Sequence, residues 1–102
     1  MKRVIDGRPY NTETAESIAN YRNNLPSTDF RFADETLYKT KNGRFFLHGQ
    51  GGAMTRWCES AGNTSWGSSG IERLSETEAL DWCESCDVDA DIIAKHFTLE
   101  DA

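Results

Sequence analysis

Residues 36–48 constrain the fold more tightly than any other stretch of the chain. Thr36-Leu37-Tyr38-Lys39-Thr40 and Arg44-Phe45-Phe46-Leu47-His48 are rich in β-favouring residues, and Lys41-Asn42-Gly43 separates them. An Asn-Gly step supplies the positive φ angles of a tight turn, so the segment predicts a β-hairpin. Alternation along each strand puts Tyr38 and Thr40 on the face opposite Lys39. It also points Phe45 and Phe46 to opposite sides, one into the core and the other under a helix or at the surface.

The rest of the chain is read as packing around that hairpin. Lys2–Ile5 and Arg8–Tyr10 flank Asp6-Gly7 and predict a second, smaller hairpin, with Pro9 confining its strand to an edge. Thr12 to Arg22 reads as a helix with Asn11 or Thr12 as N-cap and a narrow stripe of Ala15, Ile18, Ala19 and Arg22. From Gly49 to Gly70 regular pattern is lost, and six glycines with Trp57 and Trp66 mark a shaped loop. Ile71–Leu74 is placed as a third strand. Ser75-Glu76-Thr77-Glu78 is a capping box that opens a helix over 75–85, with Ala79, Trp82, Cys83 and Cys86 along one side. Asp87 or Asp89 caps a helix over 88–97, from which Val88, Ile92, Ile93 and Phe97 face inward. The expected architecture is α+β: a small antiparallel sheet centred on the 36–48 hairpin, packed by about three helices at 12–22, 75–85 and 88–97. At 102 residues, one domain spanning 1–102 is expected, because a second core could not be built from what remains.

Charge is distributed unevenly. Of the net −6, residues 1–51 contribute +2 and residues 52–102 contribute −8. Glu76, Glu78, Asp81, Glu84, Asp87, Asp89 and Asp91 fall within sixteen residues with no intervening base. Carboxylates at that density on structured elements either form a solvated face with helix caps or complement an Arg/Lys-rich groove. An acidic chain repels phosphate backbones, so the expected partner is a protein with a basic surface rather than nucleic acid. Glu76, Glu78, Asp81, Glu84 and Asp87 are the candidate contacts, and Trp57 and Trp66 the candidate aromatic anchors. No apolar run reaches the ~20 residues of a membrane helix, and the N-terminus meets Asp6 before any signal-like segment forms, so a cytoplasmic protein is expected.

Two other readings compete. Cys83-Glu84-Ser85-Cys86, with Cys58 and His48 or His96, could hold zinc or act through thiols. The pair closes a helix, however, whereas redox-active pairs open one, and buried cysteines commonly serve as small hydrophobes. Tyr38, Lys39, Lys41, Arg44 and Phe46 put bases and rings on one hairpin, the arrangement used for single-strand nucleic-acid binding. The balance favours a non-enzymatic binding protein with no catalytic residues, cofactor or metal.

Leu37-Tyr38-Lys39-Thr40-Lys41-Asn42-Gly43-Arg44-Phe45-Phe46-Leu47-His48-Gly49-Gln50-Gly51-Gly52, then Gly62-Asn63-Thr64-Ser65-Trp66 and Leu74-Ser75-Glu76-Thr77-Glu78-Ala79-Leu80-Asp81-Trp82, resembles a widespread family of short proteins in bacteria and their mobile elements. The opening Asp6-Gly7-Arg8-Pro9-Tyr10-Asn11-Thr12-Glu13-Thr14-Ala15 fits as well. The resemblance implies no assigned activity and no catalytic residues. It implies an accessory or anti-defence role, including anti-CRISPR-like inhibition.

Overall fold

A computed structural model of the protein describes residues 1–100. The central hairpin forms as the sequence dictates. β4 (Ala33–Lys39) pairs antiparallel with β5 (Phe45–Gly51), in a register that sets Leu37 opposite Leu47 and Tyr38 opposite Phe46. Gly43 takes a φ of +81° to close the connection, and its amide donates to the Thr40 carbonyl. At the N-terminus, β1 (Lys2–Ile5) and β2 (Arg8–Asn11) form the expected ribbon. Its turn is made by Asp6 and Gly7, both at positive φ.

Residues 12–22 correct the expected architecture. The side chain and carbonyl of Asn11 accept from the amides of Glu13, Thr14 and Ala15, but that turn does not continue as a helix. Instead the chain extends into β3 (Glu16–Arg22), which pairs antiparallel with β4 across a bulge between Ser17 and Ala19. As a helix, this stretch would bury only Ile18 and two alanines. As a strand it satisfies the outer main chain of β4 and turns Ile18, Ala19 and Tyr21 towards the core. The amide of Asn20 adds hydrogen bonds to Asp34, the Glu35 carbonyl and Thr36.

Past β5, the 49–70 segment is more ordered than the loop expected there. It contains the hairpin of β6 (Glu59–Ala61) and β7 (Thr64–Trp66), then β8 (Ser68–Leu74), which pairs with β5 and begins earlier than the expected third strand. The resulting four-stranded sheet has the order β3-β4-β5-β8. With 42% strand against 17% helix, and two helices among the described residues, the sheet rather than a helical layer dominates the fold. Those helices are α1 (Glu76–Ser85) and α2 (Ala90–His96). Ser75 caps α1 through the expected reciprocal box with Glu78, and Asp89 caps α2. Neither helix is long and apolar enough to cross a membrane, and no other helix among the described residues does so.

The sheet packs against other elements on both faces. On one, Ile18, Leu37, Phe45, Leu47, Trp57 and Leu74 pack with Ala79, Trp82 and Cys83 of α1 and with Phe97. On the other, the β1–β2 ribbon lays Tyr10 over Phe46 and Ile71, with Tyr38 stacked on Phe46. Leu37, Phe46 and Leu47 have no exposed surface, and each such side chain contributes roughly 1.5–3 kcal/mol of transfer free energy.

Gly49 shows how closely the first face is packed. A Cβ there would sit 2.5 Å from the Trp57 ring, whereas a Cβ at Gly70, its cross-strand neighbour, would meet the same ring at 3.9 Å. Gly49→Ala is therefore expected to destabilise the protein by about 2 kcal/mol through overpacking, while Gly70→Ala changes stability by less than about 0.5 kcal/mol. Urea unfolding followed by tryptophan fluorescence reads both, and equal effects would contradict the placement of Trp57.

Candidate functional site

The one buried charged residue among those described is Glu35, at 8% exposure. It lies on the inward face of β4, in step with Leu37, and so carries a carboxylate into the apolar layer. Two indoles meet it there. Trp57 Nε1 donates to Oε2 at 2.7 Å and Trp82 Nε1 donates to Oε1 at 2.9 Å. Arg56 Nε stands 3.4 Å from Oε2, and the same guanidinium reaches Glu72 at 3.4 Å. Trp57 is aimed by a tight turn in which Thr55 donates its hydroxyl to the Gly52 carbonyl and accepts from the Trp57 amide. Trp82 is aimed by α1. No buried side-chain polar atom among the described residues is left without a partner.

Above this cluster, α1 and the sheet enclose a cleft of about 450 Å³. Tyr21, Leu74 and Trp82 form its apolar wall, and Glu35, Arg56, Glu72, Glu78 and Asp81 its polar one. Four carboxylates therefore face one guanidinium, which Glu35 and Glu72 already share. The Glu78 carboxyl is held below its ordinary range by the Ser75 backbone amide and then by the Ser75 hydroxyl, so it stays ionised. Among the described residues, Asp81 has no ion pair within 4.0 Å.

The remaining sequence candidates divide among different surfaces. Glu76, Glu84, Asp87, Asp89 and Asp91 are exposed and have no ion pair among the described residues. Glu76 borders a separate depression beside Lys39, Lys95 and His96, on the other side of α1 from Glu78 and Asp81. Asp87 occupies the α1–α2 turn at a φ of +56°. Trp66 is exposed at the end of β7, whereas Trp57 is buried and engaged by Glu35, so it organises the interior and is not displayed to a partner. Glu35, Arg56 and Trp82 were missed as a constellation. The available signal was a Glu sharing strand parity with Leu37, in a chain whose tryptophans each need an acceptor when buried.

The thiol and metal residues do not converge. Cys83 is buried on the inner side of α1, Cys86 is half-buried and Cys58 is exposed on the loop. His48 projects from the opposite face of the sheet, into a groove with Asn20, Asp34, Thr36, Gln50 and Ser69. Burial and then the N-terminal charge lower its pKa, while Asp34 works the other way. No group of three or more His, Cys, Asp or Glu among the described residues is arranged to hold a metal. Burial pushes the Cys86 thiol up to about 11, with Glu35 and Cys83 adding to it, and it also raises that of Cys83. Neither is poised as a thiolate. On the hairpin, Phe45 stacks on Phe97, Phe46 on Tyr38, and Lys39 donates to the His96 carbonyl. Phe45 and Phe46 are buried, and Tyr38 is half-buried.

The chain matches no protein-family model, no curated protein and no solved structure.

Alkylation with iodoacetamide at pH 8 is expected to label Cys58 rapidly in the native protein, and Cys83 and Cys86 only after denaturation. Intact-mass analysis distinguishes one adduct from three, and rapid native labelling at Cys86 would contradict its assigned environment.

Proposed function

We propose that the protein is a non-enzymatic binding protein that occludes a basic surface of a host nucleic-acid-handling complex. Its place is among cytoplasmic accessory or anti-defence proteins of phages and mobile elements, of the anti-CRISPR-like kind. The observation that supports this reading is the state of the acids from Glu76 to Asp91. All seven are exposed, and none finds a cation within 4.0 Å among the described residues. Carboxylates kept unneutralised on a capped helix hold their field outward, where it raises the encounter rate with a positive surface and opposes phosphate.

The cleft adds shape to that field. Glu72, Glu78 and Asp81 rim an opening walled by Tyr21 and Trp82, which suits the stem and head of a partner's Arg or Lys. Residue by residue, the proposed contacts are Glu76, Glu78, Asp81, Glu84 and Asp87, with Trp66 as the exposed aromatic. The resemblance to short mobile-element proteins points to the same class of role.

Reversal of charge separates a specific face from net charge alone. Glu76→Lys, Asp81→Lys and Glu84→Lys together are expected to slow association with an arginine-rich peptide by about tenfold or more at low salt. Glu13→Lys, Glu59→Lys and Glu100→Lys change the net charge equally and are expected to slow it much less. Stopped-flow association rates at two salt concentrations provide the measurement, and equal slowing by the two triple variants would contradict the proposed face.

A further inference from the structure

An open sheet presents two edges, and unpaired main-chain groups along an edge recruit other strands unless something guards them. In this sheet the two edges are treated differently. β3 is interrupted by its bulge, flanked by Glu16 and Arg22, and has α2 packed against it. β8 has neither device in its first half. Its register with β5 runs without a break from Ser68 to Leu74, and there is no proline. From Ser60 to Ile71, twelve consecutive residues carry no charge.

Orientation of the main chain follows from one hydrogen bond. Arg3 donates to the Ile71 carbonyl at 2.7 Å, so the main-chain groups of Ile71 point away from β5. Alternation along the strand turns those of Ser69 the same way, while Gly70 and Glu72 face β5. Ser69 is exposed. Arg3 closes the edge at the Ile71 carbonyl and leaves the stretch before it open.

Beside this open stretch runs a groove of about 640 Å³. Phe30 and Trp66 stand on it with 68% and 43% of their surfaces exposed. Its floor is bare backbone: a side chain at Gly52 or Gly67 would collide with the carbonyls of Asp29, Phe30 or Gly51. Asp29 is the single charged residue in the lining, and there is no cation. The β6–β7 ribbon that carries Trp66 is exposed along its whole length, and a two-stranded ribbon standing alone is marginally stable in water.

We propose that the Ser68–Ile71 edge of β8, with the groove between Phe30 and Trp66, docks an extended segment of a protein partner that joins the sheet as an added strand. The occupant is uncharged where it pairs, and it places one aromatic or aliphatic side chain between Phe30 and Trp66. The outward main-chain groups at Ser69, whose carbonyl takes only a long 3.5 Å bond from the Ser68 hydroxyl, call for a partner with its own regularly spaced main-chain donors and acceptors, which means a peptide in β conformation. A lining without cations gives no purchase to phosphate, whether on nucleic acid or lipid. A second copy of this chain fits poorly: each copy carries −6, and pairing along the four residues Ser68–Ile71 covers little of the roughly 800 Å² per partner that a stable dimer buries. This surface shares Trp66 with the contacts proposed above but none of the acids of α1, so a peptide whose binding is lost in Ser69→Pro while association with the arginine-rich peptide is unchanged separates the two proposals.

Selection of a random peptide library displayed on phage against the full chain tests the proposal. The recovered peptides are expected to be uncharged over a stretch of alternating apolar residues. In the free protein the Ser69 and Ile71 amides should exchange quickly with deuterium while Gly70 and Glu72 are protected, and a bound peptide should slow the first pair. Trp66→Ala and Ser69→Pro should each weaken binding by about tenfold or more, with near-ultraviolet circular dichroism verifying the fold. Should Ser69→Pro unfold the chain, Trp66→Ala and the amide-exchange map decide. Recovery of no peptide would overturn the proposal, as would peptides indifferent to both substitutions or mapping to α1. A concentration-dependent dimer that protects Ser69 would overturn the assigned occupant.

Discussion

Glu35 carries a carboxylate beneath the sheet, and the layer on that side is organised around giving its two oxygens donors. Burial of an unpaired carboxylate costs several kcal/mol, yet here each oxygen accepts an indole N–H and Arg56 stands beside one of them. The donors lie 22 and 47 residues further along the chain. One acid on β4 therefore ties the strand, the 52–58 loop and α1 into a single arrangement. Its geometry also explains Gly49, since the indole that reaches Glu35 lies where a side chain at that position would be. Loss of the carboxylate would leave two buried indole donors without their acceptor, each a substantial penalty, while Arg56 would keep Glu72.

The proposed function depends on this arrangement through α1. A helix of ten residues with Glu76, Glu78, Asp81 and Glu84 exposed has little reason to fold by itself. Ala79, Trp82 and Cys83 hold it to the sheet, and the Trp82–Glu35 bond fixes its rotation. The polar face thus points outward at a defined angle, and two of its acids rim the cleft. Opposite, the β1–β2 ribbon covers only part of the second sheet face, leaving Asn20, Asp34, Thr36, His48, Gln50 and Ser69 around a polar groove. The two faces differ accordingly: one is closed by helices and negative at its rim, the other half-covered and mixed in polarity.

Local signals in the sequence were strong where a few adjacent residues settle the conformation. Asn42-Gly43 marked the hairpin, and Ser75 with Glu78 marked the start of α1. Asp89 was one of two caps expected for α2, and the structure uses it. Residues 12–22 were misread because Asn11 and Thr12 look like a helix start and do make one turn, while the outcome depends on β4, a distant strand whose outer edge needs a partner. The 49–70 glycines do shape the chain, but four of them, Gly49, Gly51, Gly52 and Gly67, act through close approach to Trp57, Thr55, Asp29 and Gly51 rather than through positive φ. The Glu35 cluster had no local signature beyond the strand parity of Glu35 with Leu37. Its members meet only once the sheet register and the helix rotation are set, and Trp57 looked like an anchor for a partner when it serves the interior.

Exchange of the three indole N–H protons with deuterium, followed by NMR, tests the central cluster most directly. Trp57 and Trp82 are expected to exchange slowly in the native protein, with signals shifted by their bonds to a carboxylate, while Trp66 exchanges at close to the rate of a free indole. In Glu35→Leu the slow pair should lose both features. Three indoles exchanging alike, or a slow pair unchanged by that substitution, would contradict the account.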